Sequence, residues 1–457
     1  MTGGEGLPAG LLLAWYGDDF TGSSAVMEVL TFAGLPAVLF FDVPTPEQLA
    51  TFSGYRAIGI AGTARSSSPR WMEEHLPPVY RALDALGASL VHYKICSTFD
   101  SSPTVGSIGK AIDLAAPVFR PDWIPLLVAA PEMNRYQAFG NLFASVDGVG
   151  YRLDRHPTMS HHPATPMDEA DLRVHLGKQT DRRIGLVDLA AIKAGHADAA
   201  LAAERQHGAE IVSLDVVDAE TLAACGRLIW DARQEAPFAV GSQGVEYALI
   251  AHWRSEGLVA EAAPPPRAAE ADRIVVVSGS CSPDTARQIE RAAGEGFEPI
   301  RVDAALAVDP AEWAREIERS TAAALKALGE GRDPILHTAL GPRDPAVATF
   351  NAAVAGCDRD TVNARVGSGL GTMLDRVLRA SGTTRCVIAG GDTSGHGALA
   401  LGIHALTAVA YITPGASIFK AHADDPALAG LEIALKGGQM GSPDYFSEIK
   451  EGGRRAA

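Results

Sequence analysis

The chain has 457 residues, 47% of them hydrophobic and 21% charged, with a formal net charge of −16 at pH 7. That length exceeds one ordinary core and sets an expectation of two or three domains in a soluble globular protein. The excess of acid argues against nucleic acid and anionic membrane surfaces as partners, but leaves room for a small anionic substrate held by local positive groups. No apolar run reaches the length of a membrane span. The five cysteines, at positions 96, 225, 281, 357 and 386, are scattered without metal spacing and suit a reducing cytoplasm.

In chain order, Leu11–Gly17 reads as a first strand rather than a signal peptide, since it lacks a basic flank and runs straight into Asp18-Asp19. Further strands are expected at Ala37–Phe41, Ala57–Gly62, Leu90–Ile95 and Ile124–Ala130, with helical stretches such as Ser24–Ala33 and Pro78–Leu86 between them. Between Val146 and Lys178 the pattern is irregular, and Arg152, Arg155, His156, His161 and His162 cluster among prolines. That cluster reads as either a solvated loop or an anion-contacting one, and its adjacent histidines are not spaced as a zinc pair. Strands resume at Ile184–Leu189, Glu210–Val216 and Phe238–Gly241.

Ala262–Ala269, with three consecutive prolines, marks the best domain boundary. It divides an N-terminal domain, 1–261, from a C-terminal domain, 273–457, joined by a Pro/Ala-rich linker, 262–272. After it, strands are expected at Arg273–Ser278, Pro334–Leu340, Arg385–Ala389, Ala408–Ile412 and Leu431–Leu435, with a helix at Asp284–Ala293. Strands alternating with helices make each domain α/β, a mostly parallel sheet flanked by helices.

In such sheets ligands sit beyond the carboxyl ends of the strands. There the first strand leads to Asp18 and Asp19, which can take a proton from a hydroxyl, orient a cation, or merely cap the next helix. Arg65 follows the third strand and offers a two-pronged grip on a carboxylate, or is a surface arginine. Lys94 lies inside an apolar run, where a lysine needs a partner or an anion, and Ser97 and Thr98 supply hydroxyls beside it. Cys96 reads as a small core cysteine rather than a nucleophile, because no base is in evident reach.

The C-terminal half carries two strand–turn–helix units rich in small residues. One runs through Ser278-Gly279-Ser280-Cys281-Ser282 and the other through Gly390-Gly391-Asp392-Thr393-Ser394-Gly395, before an expected helix at Gly397–Gly402. Free backbone N–H groups in front of a helix N-terminus suit a phosphate, although neither turn has the Walker or G-x-G-x-x-G pattern. Gly367-Ser368-Gly369-Leu370-Gly371 is either a ligand contact or close helix packing. Lys436, before Gly437-Gly438, is a phosphate partner or a solvated charge.

Taken in order, Gly17-Asp18-Asp19-Phe20-Thr21-Gly22, Val277–Pro283, Ala389–Gly395 and Leu435–Gly441 resemble the four-carbon acid sugar kinase family, the former domain of unknown function 1537, which includes 3-oxo-tetronate, D-threonate and D-erythronate kinases. The resemblance spans almost the whole chain. It implies an ATP-dependent kinase that phosphorylates the terminal hydroxyl of a small sugar acid, with Mg2+ on the nucleotide, an active site in the cleft between the domains and a homodimeric assembly. It places the sugar acid in the N-terminal domain, with Asp18 and Asp19 catalytic and Arg65, Lys94, Ser97 and Thr98 around the substrate. It places ATP in the C-terminal domain, at Ser278, Ser280, Gly390, Gly391, Asp392, Thr393, Ser394, Gly395 and Gly438. The metal ligands are not assigned.

Two segments depart from the family pattern. Lys94-Ile95-Cys96-Ser97-Thr98-Phe99-Asp100-Ser101 has Cys96 where an acid is usual and lacks the usual arginine, and Pro131–Gln137 differs from the usual Pro-rich, Gly-Arg segment. Both fall in the substrate half. The competing readings are a non-kinase ligase or hydrolase on the same scaffold, and a sugar-acid sensor without turnover.

Overall fold

The computed structural model describes residues 6–146, 148–162, 164–261 and 266–453, and for Asp392 the backbone alone. Residues 262–265 of the expected linker, and the side chain of Asp392 in the expected nucleotide site, therefore lie outside the described parts. The chain forms two compact units, Met1–Ala263 and Pro264–Ala457.

The first unit contains β1 (Leu13–Gly17), β2 (Ala37–Phe40), β3 (Ala57–Ala61), β4 (Leu90–Lys94), β5 (Ile124–Leu127), β6 (Arg135–Ala138), β7 (Asn141–Val146), β8 (Val149–Arg152), β9 (Ile184–Val187), β10 (Ile211–Leu214) and β11 (Phe238–Gly241). Its main sheet is parallel throughout, in the order β2-β3-β1-β4-β11-β5-β10-β9. Every residue of β1, β3 and β4 is buried. Helices cover both faces of such a sheet, which is why these strands read as unbroken apolar runs. One polar tie crosses the core: His92 Nδ1 lies 2.6 Å from Glu246 Oε1, and its Nε2 lies 3.0 Å from the Gly241 carbonyl.

The second unit contains β12 (Val275–Ser278), β13 (Phe297–Arg301), β14 (Asp333–His337), β15 (Arg385–Ala389), β16 (Ile403–Ala410), β17 (Ile418–Ala423) and β18 (Glu432–Lys436). The order is β13-β14-β12-β15-β18-β17-β16, parallel from β13 to β18 and antiparallel beyond. The α/β architecture read from the alternation of elements is thus present in both units. Residues 266–272 belong to the second unit, where the Ala268 and Ala271 N–H groups donate to Gly452 and Lys450 carbonyls at 2.9 and 2.8 Å.

Several boundaries differ from the sequence expectation, each for a local reason. The expected strand through Leu189 stops at Val187, because Asp188 caps a helix that starts at Leu189. The helix expected from Pro78 begins at Pro69 and runs through Pro77 and Pro78. Its stripe of Met72, Leu76, Tyr80 and Leu83 is buried, and that packing outweighs the lost backbone bonds. Strand β13 carries Pro299, a poor strand signal that is tolerated because β13 is a sheet edge. The antiparallel meander β6-β7-β8 also escapes the sequence pattern.

Around the irregular stretch, the ionic groups are engaged locally. Arg152 Nε donates to Asp154 at 2.7 Å, His156 Nδ1 accepts from the Thr158 and Met159 N–H groups, and His162 Nδ1 accepts from Thr165 N–H. This is the wiring of a folded loop. Among the described residues, no helix is long and apolar enough to cross a membrane.

Candidate active site

Strands β3, β1 and β4 are neighbours, and their carboxyl ends assemble the first cluster. Register pairs Gly17 with Lys94, the Asp18 N–H donates to the Lys94 carbonyl at 2.9 Å, and the Arg65 N–H donates to the Asp18 carbonyl at 2.9 Å. The backbone therefore locks Asp18, Arg65 and Lys94 together before any side chain acts.

The two acids then separate in role. Asp18 is buried and takes both prongs of Arg65, with Nη2 to Oδ1 at 2.7 Å and Nε to Oδ2 at 3.3 Å. Asp19 caps the helix Phe20–Phe32, its Oδ1 accepting from Gly22 N–H at 3.0 Å and contacting Arg65 Nη2 at 2.6 Å. Its side chain is 25% exposed against 3% for Asp18, and both of these contacts fall on Oδ1.

Burial pushes the Asp18 carboxyl up, and Asp19 adds to this, while Arg65 and Lys94 pull it down. Burial works against the Arg65 charge too, but Asp18 and Asp19 outweigh it and hold the guanidinium well above its usual value. The two shifts point opposite ways for the pair. The two-point contact decides between them, and Asp18 is the ionised partner of a permanently charged arginine.

Lys94 is buried, with Nζ donating to the Ile95 carbonyl at 2.8 Å. Burial pushes its pKa down and Asp19 opposes the shift. Gly22 is the point where the groups converge. A Cβ there would run into Asp19 Oδ1 and come within 3.0 Å of Lys94 Nζ and 3.3 Å of Arg65 Nη2. Only glycine leaves that space open.

Ser97 and Thr98 follow β4 and are nearly buried. Thr98 Oγ1 donates to Asp100 Oδ1 at 2.8 Å and lies 2.9 Å from Cys96 Sγ. Burial, with Asp100 adding, pushes the Cys96 thiol up to about 11, so it is a neutral thiol and a poor nucleophile.

In the second unit three turns follow the adjacent strands β12, β15 and β18. The Gly279 N–H donates to the Ala389 carbonyl at 3.0 Å and the Gly390 N–H to the Lys436 carbonyl at 2.9 Å. A Cβ on Gly438 would meet Ser280 Oγ at 2.9 Å, and one on Gly390 would meet Thr393 Oγ1 at 3.0 Å and Ser280 N at 3.3 Å. Ser280, Gly390, Thr393 and Gly438 are therefore brought together. Ser278 and Ser394 serve the turns from inside. Ser278 Oγ accepts from Ser280 N–H at 3.4 Å, and Ser394 Oγ donates to the Gly390 carbonyl at 2.7 Å.

The helix expected from Gly397 begins at Gly391, so Thr393, Ser394 and Gly395 lie in its first turns. The glycine-rich sequence is a poor helix former, and packing compensates. Gly367 and Gly371, inside the helix Arg359–Ser381, have no room for a Cβ against His396 and Ala400. The glycine cluster at 367–371 is thus close helix packing that seats the Gly391 helix. Gly369 does the same for Trp313.

The N-cap of that helix, Gly390, has φ 120° and no side chain to cap with. Its counterparts Ser282, Asp309 and Asp344 do cap their helices. Gly390 therefore gives the first N–H groups of the Gly391 helix no side-chain cap, and the N-terminus of a helix suits an anion. Lys436 is fully buried rather than solvated, and its Nζ donates to Thr285 Oγ1 at 3.0 Å, which in turn donates to the Gly438 carbonyl at 3.0 Å. Burial pushes Lys436 down to about 8. An isolated lysine before a Gly-Gly pair was the sequence signal for this link.

A direct check on the second cluster is Gly391→Val. Gly391 is exposed and a Cβ there meets nothing within 4 Å, so the fold accepts the change. A branched side chain would fill the space before the helix N-terminus. The KM for ATP should rise about 100-fold, or roughly 2.7 kcal/mol of binding, with an unchanged unfolding midpoint. An unaltered ATP KM would remove the phosphate role of this turn.

Known families match both units of the chain. The family model described as a sugar-binding N-terminal domain matches residues 13–249, and the one described as a nucleotide-binding C-terminal domain matches residues 275–446. A 3-oxo-isoapionate kinase of Paraburkholderia graminis is 49% identical over 97% of this chain and 95% of its own length. A 3-oxo-tetronate kinase of Cupriavidus necator is 30% identical over 96% of each chain. A crystal structure from Haemophilus influenzae is 26% identical with a TM-score of 0.70, covering 95% of this chain and 98% of that one. The chain belongs to the four-carbon acid sugar kinase family. Its activity is that class of chemistry, nucleotide-dependent phosphorylation of a sugar acid.

Proposed function

We propose that the protein transfers the γ-phosphoryl group of ATP to the terminal hydroxyl of a 3-oxo sugar acid, with 3-oxo-isoapionate the first candidate and 3-oxo-tetronate the second. The observation that carries this reading is Asp19, a partly exposed carboxylate held on a buried Asp18–Arg65 pair beside Lys94. The choice of acid follows the identity to the Paraburkholderia graminis kinase.

In this mechanism the substrate hydroxyl donates its proton to Asp19 as its oxygen attacks the γ-phosphorus. The bond to the β,γ-bridging oxygen breaks, and ADP leaves with the electron pair. Lys94 places positive charge where the transferring group becomes most negative. Arg65 holds the acid pair in position, and the hydroxyls of Ser97 and Thr98 face the substrate. Ser280, Gly438 and the N–H groups of 391–393 cradle the nucleotide phosphates, over turns that Ser278 and Ser394 shape. Among the described residues no three His, Cys, Asp or Glu side chains group to hold a cation. Mg2+ would arrive on the ATP phosphates and neutralise their charge, and the steps assigned to this chain rest on its own side chains. We place the reaction in the reducing cytoplasm, where the five free cysteines persist.

The test is ADP release with each 3-oxo acid against a no-acid control, with the product identified by mass. Equal amounts of ADP and phosphorylated acid support the reading. ADP without a phosphorylated acid would make the protein a hydrolase, and acid binding without turnover would make it a sensor.

A further inference from the structure

The sequence offers Arg65 as a two-pronged grip on a carboxylate, but in the structure the Nε–Nη2 edge of Arg65 is taken by Asp18, with Asp19 sharing Nη2. An acid substrate needs another cation in the same unit. Arg135 is such a group. It opens β6, and its backbone is bridged to Ala130, just past the carboxyl end of β5. In the sheet β5 lies two places from β4, so Arg135 stands on the same edge as Lys94 and Asp19.

One side of the guanidinium is fixed by the protein. Nη1 donates to the carbonyls of Met133, Asn134 and Ser145 at 3.1, 3.3 and 3.4 Å. The other side is unmet: Nε is buried without a hydrogen-bond partner, and no ion pair to Arg135 is present among the described residues. A buried Nε–H without an acceptor is costly unless an anion completes it. Burial pushes its pKa down, and the Cys96–Asp100 segment, through Cys96 and Asp100, opposes this. Those two residues also act on Arg65, so the Cys96–Asp100 loop lies in the field of both arginines. The residue as a whole keeps partial exposure, which leaves the fork reachable.

We propose that Arg135 is the carboxylate anchor of the sugar-acid site, its Nε–Nη2 edge taking both carboxylate oxygens while Asp19 and Lys94 face the hydroxyl to be phosphorylated. The segment Cys96–Asp100, hydrogen-bonded through Thr98, then lies along the carbon chain between the two ends. This assignment rests on the kinase reading above. It explains how a chain with a net charge of −16 binds an anion without using Arg65.

The test is steady-state kinetics on full-length Arg135→Ala and Arg135→Lys, with the acid that the wild type turns over best. Arg135→Ala should raise the KM for the acid about 100-fold while kcat and the KM for ATP stay within about threefold. Added guanidinium chloride should lower that KM again. Arg135→Lys keeps the charge without the fork and should sit about tenfold above the wild type. It serves as the second test should the alanine variant fold poorly. An acid KM within threefold of wild type in a folded variant, or equal losses for acid and ATP, would overturn the assignment. Should the wild type phosphorylate no 3-oxo acid, the kinase reading fails by itself. Arg135 is then judged by equilibrium dialysis with 3-oxo-tetronate, where equal binding by wild type and variant overturns it and weaker binding by the variant upholds it.

Discussion

Asp19→Asn is expected to lower kcat by about 10²–10⁴-fold, the usual worth of a positioned general base. The KM for ATP should change by less than about threefold. Asparagine is nearly the same shape and is itself a good helix cap, so the acceptor for Gly22 N–H survives. What is lost is the negative charge that draws the proton, together with part of the contact to Arg65. Because Asp19 is the more exposed acid and the neighbouring pair remains whole, the unfolding midpoint should move little. Single-turnover measurement with ATP and the acid separates the chemical step from product release. Normal turnover in this variant would remove Asp19 as the base and leave the acid pair a structural feature.

Asp18→Asn should do the reverse. It leaves Arg65 fixed in a nearly closed site with only Asp19 as a counter-charge. Removing one partner of a buried pair costs about 3–5 kcal/mol, because the other charge stays buried. Arg65 is 23% exposed, so the lower end of that range, about 3 kcal/mol, is expected here. For a unit of this size that corresponds to a fall of roughly 6–12 °C in the unfolding midpoint of the first unit. Turnover should also fall, because Arg65, left with Asp19 as its one counter-charge, draws that carboxylate away from the substrate hydroxyl. A variant with wild-type thermal stability would show that the Asp18–Arg65 pair contributes nothing net.

The two substitutions thus divide an acid pair that the sequence presents as a unit. Asp18-Asp19 in the first strand–helix turn stands out in the sequence as a candidate site through its glycine flanks. Which acid keeps an uncommitted, more exposed oxygen is not legible there. That depends on Arg65, 47 positions from Asp18, giving two prongs to Asp18 and only Nη2 to Asp19. Long-range pairing of this kind leaves no periodic trace in the chain.

The Gly390–Gly395 turn shows the same division. Gly390–Gly395 stands out in the sequence because strand, glycines and helix follow one another. The helix start at Gly391 comes instead from Gly367 and Gly371, whose missing side chains let two helices touch. Those glycines read equally as a ligand loop until their neighbours are known. Lys436 likewise reads by position as a phosphate partner or a solvated charge, and its fold buries it fully.

Composition, the alternation of strands with helices and the ordered small-residue turns determine by themselves the α/β class, because each is written in local periodicity and turn chemistry. The tertiary structure alone decides which charged groups are already satisfied. The sequence offers Arg65 as an anion holder and does not single out Arg135. Folding surrounds the first with carboxylates and leaves the second with a buried, unpaired Nε. Desolvation and partner geometry act between residues far apart in the chain, and they arise only once the sheet has brought its strand ends together.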